Sequence, residues 1–400
     1  MAKEKIPMTL LCGYLGAGKT TLLNKVLTNQ NGYKVAVIVN DIGEVNVDET
    51  LIAKGGKVED TSSIVPLTNG CICCTLKSQL AQQIEDLIKT GKYDYILIEA
   101  SGVCEPMPIA QELELIKNGY IDNVVGVVDA ARMVDEFASG DSLLKKDMEE
   151  EDIESLLVQQ VEFCSTLIIN KKDLVSEEDL AKVRKVVTTI QPTVKIIETT
   201  HCDVPVEEII GTHKFDFEKV YASAGWCKAL EESEGEDDEH DEDDHDHDEH
   251  DHEHEHDHDE HEHHHHHHHN EGDTGADEDE YGISTFVYYR RKPFNREKLE
   301  AFAGNWPRNI IRSKGLIWFD DDPDNSLVLE TAGRQITAGY AGQWLASCPK
   351  KVQEQELKRN PKIQKEWDES VGDRMIKLCI IGRNMDKAKI SAELDKLLGE

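Results

Sequence analysis

Three cysteines within four positions, Cys71, Cys73 and Cys74 in the pentapeptide GCICC, stand out in a chain of 400 residues with only 10 cysteines. Thiolates so crowded can bind a metal ion, form a disulfide or act as nucleophiles. Cys73 and Cys74 are neighbours and cannot pair with each other without strain. A lone catalytic thiol needs no two companions. C-x-C-C is not a zinc-finger spacing, so metal binding, buried structural thiols and redox chemistry all stay open on the pattern alone. A second stretch is made for phosphate. GYLGAGKT, Gly13 to Thr20, fits G-x-x-x-x-G-K-[ST], with an apolar run before it and a helix-like run after it. Its glycines let backbone amides curl round phosphates, Lys19 reaches the β/γ oxygens, and Thr20 is placed to ligate Mg²⁺.

Two further elements fit the same site. The run YILIE is followed by ASG, so Glu99 and Gly102 stand three positions apart. This resembles the D-x-x-G switch of GTPases with Glu in place of Asp. The acid would lie near Mg²⁺ or its water, and the Gly102 amide would sense a γ-phosphate. NKKD, Asn170 to Asp173, closes the run TLIIN and resembles N-K-x-D. There the Asp173 carboxylate would accept from guanine N1–H and the exocyclic amine. Adenine lacks that donor pair, so the expected nucleotide is GTP. Either element is weak alone; their order behind a phosphate loop strengthens both.

These residues need a frame. Residues 1–228 alternate short apolar runs with helical spacing: MTLLC (8–12), VAVIV (35–39), YILIE (95–99), VVGVV (124–128), TLIIN (166–170) and VKIIE (194–198). Such alternation predicts an α/β domain, a mostly parallel sheet covered by helices. Residues 281–400 read as β-α-β-β-α-β plus a final helix, a smaller ferredoxin-like α+β domain. Within it Pro361 is expected to break or kink one helix, and Trp306, Trp318, Tyr288 and Tyr289 read as core before interface.

Between them, residues 229–280 form an acidic, His-rich linker. Positions 231–280 hold 27 Asp or Glu, no Lys or Arg, and 16 of the chain's 18 histidines. Nothing there is apolar and periodic enough to fold alone, so disorder is expected. His263, His264, His265, His266, His267, His268 and His269 are consecutive and internal, which reads as native sequence and as an auxiliary metal tract. Neutral imidazole is the ligand, so binding there should weaken below roughly pH 6.5.

Composition narrows the function. The formal charge is −36, from 80 acidic and 44 basic residues, and it falls to −9 without the linker acids. That balance argues against nucleic-acid binding. No apolar run spans a membrane and the N-terminus reads as no signal peptide. Cysteines scattered singly through apolar runs fit a reduced, cytoplasmic protein.

Taken in order, GYLGAGKTTLL, NDIGEVNVD (40–48), LTNGCICCTL (67–76), NKKD, the histidine tract and RSKGLIWF (312–319) resemble the CobW-type metal-chaperone GTPases over nearly the whole chain. The resemblance implies weak GTP hydrolysis coupled to delivery of a transition metal, most often Zn²⁺, to a client metalloprotein; a homodimer is a further expectation. It implies that Gly13, Gly16, Ala17, Gly18, Lys19, Thr20 and Thr21 hold phosphates and Mg²⁺, and that Asn170, Lys171 and Asp173 read guanine. It gives Cys71, Cys73 and Cys74 as metal thiolates with Glu44 beside them, and Lys19, Glu99 and Gly102 as the hydrolytic set. Asp41 and Ile42 depart from the family's N-E-F-G-E. Three rival readings are a Co²⁺- or Ni²⁺-insertion GTPase, a histidine-rich metal buffer with a regulatory nucleotide site, and an ATP-using kinase with the same phosphate loop, which NKKD disfavours.

Overall fold

The computed structural model describes residues 5–28, 32–39, 64–66, 77–138, 151–233, 281–332 and 335–399. Seven parallel strands make the first sheet: β1 (Ile6–Cys12), β2 (Val35–Val39), β3 (Ile64–Pro66), β4 (Tyr95–Glu99), β5 (Gly119–Asp129), β6 (Thr166–Asn170) and β7 (Lys195–Glu198). Their order is β3-β2-β4-β1-β5-β6-β7. Every residue of β2, β4 and β6 is buried. That is why these strands read as unbroken apolar runs: helices cover both faces, and neither face can be polar. One side packs Leu10, Ile38, Ile98 and Val128 against helices that include Lys77–Thr90 and Glu151–Glu162. The other packs Leu11, Val37, Leu97 and Val127 under the helix Lys19–Thr28. All six strands read from the sequence are present; β3, only three residues long, is an addition.

Parallel strands end on one edge. Register sets Leu11 beside Glu99 and Asp129 beside Asn170. The segments that follow β1, β4, β5, β6 and β7 are thereby gathered at the carboxyl edge, where open α/β sheets bind ligands.

The second sheet is antiparallel, with strands β8 (Ile283–Arg290), β9 (Ile310–Phe319), β10 (Asp322–Ala332), β11 (Gln335–Gln343) and β12 (Ile376–Arg383) in the order β11-β10-β9-β12-β8. The last strand inserts between β8 and β9, the two strands of a split β-α-β unit whose helix is Arg296–Ala303. The edge strand β11 lies outside the strands expected from the sequence. Alternation along β12 splits its side chains cleanly. Leu378 and Ile380 join the domain's own core, while Cys379 and Ile381 pack with Ala224 and Trp226 beside the first domain. Trp306, Trp318 and Tyr288 are buried, as expected; Tyr289 is not, at 36% exposure. The expected helix break falls at Asn360, whose side chain caps a new helix, Pro361–Lys365.

Candidate nucleotide site

The phosphate loop leaves β1 at Cys12 and enters the helix at Lys19. Two glycines are required by space as well as by conformation. A Cβ on Gly13 (φ 143°) would sit 2.2 Å from the Val127 carbonyl oxygen; one on Gly18 (φ 120°) would sit 2.5 Å from Asn170 Nδ2 and 2.7 Å from Cys202 Sγ. The loop is thus pressed against β5 on one side and the NKKD segment on the other. Lys19 is buried and donates from Nζ to the carbonyls of Gly13 at 2.8 Å and Tyr14 at 3.3 Å, arching over the loop. The helix that begins at Lys19 turns its N-terminus, the positive end of its dipole, toward this loop. Ala17 is buried beneath the loop; Gly16 and Thr21 are exposed at its mouth.

The Glu99–Gly102 element meets this loop. Glu99 ends β4, next to β1, and its side chain is buried at 4% exposure. A Cβ on Gly102 would lie 2.9 Å from the backbone nitrogen of Leu15, so the two backbones touch.

Asn170 departs from a simple base-reading role. Its side chain points inward, donating from Nδ2 to the Ala17 carbonyl at 2.8 Å and accepting at Oδ1 from the Cys202 amide at 2.8 Å. Lys171 has a left-handed backbone (φ 58°) and pairs through Nζ with Asp129 Oδ2 at 2.5 Å. Asp173 is exposed in the short 3₁₀ turn Lys172–Leu174 at the rim. A rim carboxylate above an inward brace and a fixed cation is an arrangement able to hold a base that offers paired N–H donors.

Some residues of this edge were not singled out from sequence. Asp129 caps the helix Ala130–Met133 as well as binding Lys171. The loop after β7 turns through two successive left-handed residues, His201 (φ 55°) and Cys202 (φ 50°). Cys202 Sγ lies 3.4 Å from the Gly18 carbonyl oxygen. Burial pushes its thiol up to about 11, against the pull of Lys25 and Lys171, so it packs as a neutral group. The signal in sequence was only positional: both segments follow late strands on the ligand edge. Burial likewise pushes the Cys12 thiol up to about 12, against the nearby Lys19.

The metal residues expected from sequence, Cys71, Cys73, Cys74 and Glu44, and the tract His263–His269, lie outside the described residues. So does the whole Asp41–Asp48 segment. Among the described residues no group of three or more His, Cys, Asp or Glu side chains is placed to hold a metal ion. Among the described residues Cys12, Cys164, Cys202, Cys227, Cys348 and Cys379 are free thiols. No described helix is long and apolar enough to cross a membrane.

Residues 7–198 match the family model described as CobW/HypB/UreG, nucleotide-binding domain. Residues 283–398 match the one described as Cobalamin synthesis protein cobW C-terminal domain. The chain is 34% identical over 426 residues to a Dictyostelium discoideum protein named zinc-regulated GTPase metalloprotein activator 1, covering 99% of this chain and 80% of that protein. A Pseudomonas aeruginosa protein named zinc chaperone CobW is 34% identical over 224 residues, 52% of this chain and 60% of that one. A solved structure of a Zn(II)-bound YjiA GTPase from E. coli is similar over 98% of this chain and 99% of that chain, at 20% identity and a TM-score of 0.40.

Proposed function

This chain belongs to the CobW family of GTPases, and on that premise we propose that it is a cytoplasmic metallochaperone that uses GTP hydrolysis to hand Zn²⁺ to a client metalloprotein. The observation that carries the nucleotide half is the junction of three segments: Gly18 against Asn170 and Cys202, and Gly102 against Leu15. It lets one loop report on phosphate and base together.

In this reading the loop amides from Gly13 to Thr21 bind the phosphates and Lys19 holds the β/γ oxygens. Asp173 accepts from guanine, and Asn170 braces the base loop on the phosphate loop. Thr20, with Glu99 behind it, would hold Mg²⁺ or its water; when bound, the ion neutralises charge on the phosphate oxygens. The fit rests on the glycine-made cradle, which side chains at Gly13 or Gly18 would close.

The cargo site is assigned to Cys71, Cys73 and Cys74 with Glu44, on the strength of the C-x-C-C cluster and the zinc named in the relatives. Sulfur with one carboxylate suits Zn²⁺. In sequence the cluster lies between Asp41–Asp48 and Glu99–Gly102, the two segments that answer to the γ-phosphate, so nucleotide state sets whether the ligands converge. The histidine tract gathers metal nearby on its tether.

The test is a single turnover. Zinc-loaded protein is mixed with GTP, and phosphate and chelator-trapped zinc are followed together. Zinc release in step with phosphate is expected, with slow release from a non-hydrolysable analogue. Equal release rates with both nucleotides would refute the coupling.

A further inference from the structure

The helix Glu151–Glu162 touches the Gly102 segment and the second domain within a single turn. Gln160 is fully buried (0% exposed) and donates from Nε2 to the carbonyls of Gly102 at 3.5 Å and Cys104 at 3.3 Å. Gln159, its amide nitrogen turned to the acid as the hydrogen-bond network requires, donates to both oxygens of Glu105 at 3.0 and 3.2 Å. Two residues on, Glu162 accepts from Arg312 of β9, from Nη2 at 2.8 Å and Nε at 3.2 Å. Arg312 is 3% exposed and also reaches Glu330 at 3.3 Å; Lys314 completes the cluster on Glu330 at 2.8 Å. A two-pronged Arg–carboxylate pair is directional, and a buried one does not slide without stranding a charge. Ends of one helix turn are therefore fixed to two different domains.

Room to move is also present. A cavity of ≈ 280 Å³ opens between the same pieces, with Glu105 and Met107 on one wall and Arg312 and Thr337 on the other. Gln160 Oε1 is buried and accepts no hydrogen bond among the described residues. It can take an N–H if the Gly102–Glu105 segment shifts, so the same side chain can serve two positions of that segment.

We infer that Gln160 is a positioning residue for GTP hydrolysis, and that the Glu162–Arg312 pair couples the Gly102–Glu105 segment to the C-terminal sheet. The inference rests on the GTPase reading above but not on the identity of the metal. Coupling of this kind is reciprocal: a partner seated on the C-terminal sheet changes nucleotide affinity, and nucleotide changes affinity for the partner by the same factor.

The experiment measures kcat and KM for GTP, GDP affinity and melting temperature in the full chain. Gln160→Leu and Gln160→Met both remove the donor while roughly keeping size. Each is expected to lower kcat about tenfold with GDP affinity within about twofold, the pattern of lost positioning and not of lost binding. Glu162→Gln with Arg312→Gln removes both charges together, so neither is left buried alone. That pair is expected to lower kcat by about threefold, and to add nothing to Gln160→Leu, because residues on one path are not additive. A normal kcat in the Glu162/Arg312 double variant, or losses that multiply with Gln160→Leu, would overturn the coupling. Unchanged kcat in both Gln160 variants would overturn the positioning role. A wild-type chain that does not hydrolyse GTP would instead overturn the functional reading beneath both.

Discussion

The Asn170 amide donates to the Ala17 carbonyl at 2.8 Å, and its oxygen accepts from the Cys202 amide at the same distance. One side chain thereby joins three separate turns: the phosphate loop, the NKKD turn and the loop after β7. The segments proposed to meet base and phosphate are thus mechanically joined at this edge.

Removing that brace should weaken the whole site. Asn170→Ala leaves a buried carbonyl and a buried amide without their partner, at a cost of about 1–3 kcal/mol. The expected result is a lower melting temperature and a loss of GDP affinity of at least about tenfold, the size such an energy implies. Titration with a fluorescent GDP analogue measures it. Unchanged GDP affinity would show that the brace is incidental.

Asp173 should behave in the opposite way, because it is exposed at the rim and not a buried brace. Asp173→Asn exchanges an acceptor for a donor. GTP binding should fall by about 100-fold while xanthosine triphosphate gains, as expected when hydrogen-bond complementarity is inverted. Melting temperature without nucleotide should not move. Competition between the two triphosphates reads the outcome; a variant that still prefers GTP would remove Asp173 from base recognition.

Gly18→Ala tests the loop's geometry. Its backbone is left-handed at φ 120°, and the new methyl would stand 2.5 Å from Asn170 Nδ2 and 2.7 Å from Cys202 Sγ. Both neighbours are themselves anchored, so they cannot yield cheaply. A loss of about 1–3 kcal/mol in stability is expected, together with nucleotide binding too weak to saturate. Denaturant unfolding without nucleotide separates the two effects.

The interdomain cluster predicts a pH dependence. Burial pushes the Glu330 carboxyl up, but Lys314 and Arg312 outweigh it and hold it below its ordinary value of 4.5. The folded state therefore holds fewer protons than the unfolded one. The stabilisation is complete above that ordinary value and is lost as pH falls through the lowered one. Melting temperature should drop more steeply between about pH 5 and pH 3 in the wild type than in Glu330→Gln. Parallel curves would mean that Glu330 contributes nothing to the acid limb.

Much of this was legible in the chain. Strands buried on both faces announce themselves as apolar runs, so β1, β2 and β4–β7 could be placed, and the phosphate loop with them. What escaped had no such signature. β11 is built from small residues, QITAGYAGQ, with no alternation of large apolar groups, and β3 has only three residues. The inward turn of Asn170 depends on Ala17, 153 positions earlier, a contact no local pattern encodes. Gln160 looks like a surface glutamine in LLVQQVE; its burial is decided by Gly102 and Cys104 arriving from the loop after β4.

In the proposed mechanism, nucleotide state sets the grip of the cysteine cluster on zinc. The direct measurement is Zn²⁺ affinity of the chain lacking residues 234–280, by competition with a chromogenic chelator, with GDP and with a non-hydrolysable GTP analogue, beside Cys73→Ser. Tight binding that differs by about tenfold or more between nucleotides, and is lost in Cys73→Ser, is the predicted result, since only differential affinity can shift a switch. Binding that ignores nucleotide and survives the substitution would contradict it, making those thiols structural and leaving the histidine tract as the metal site.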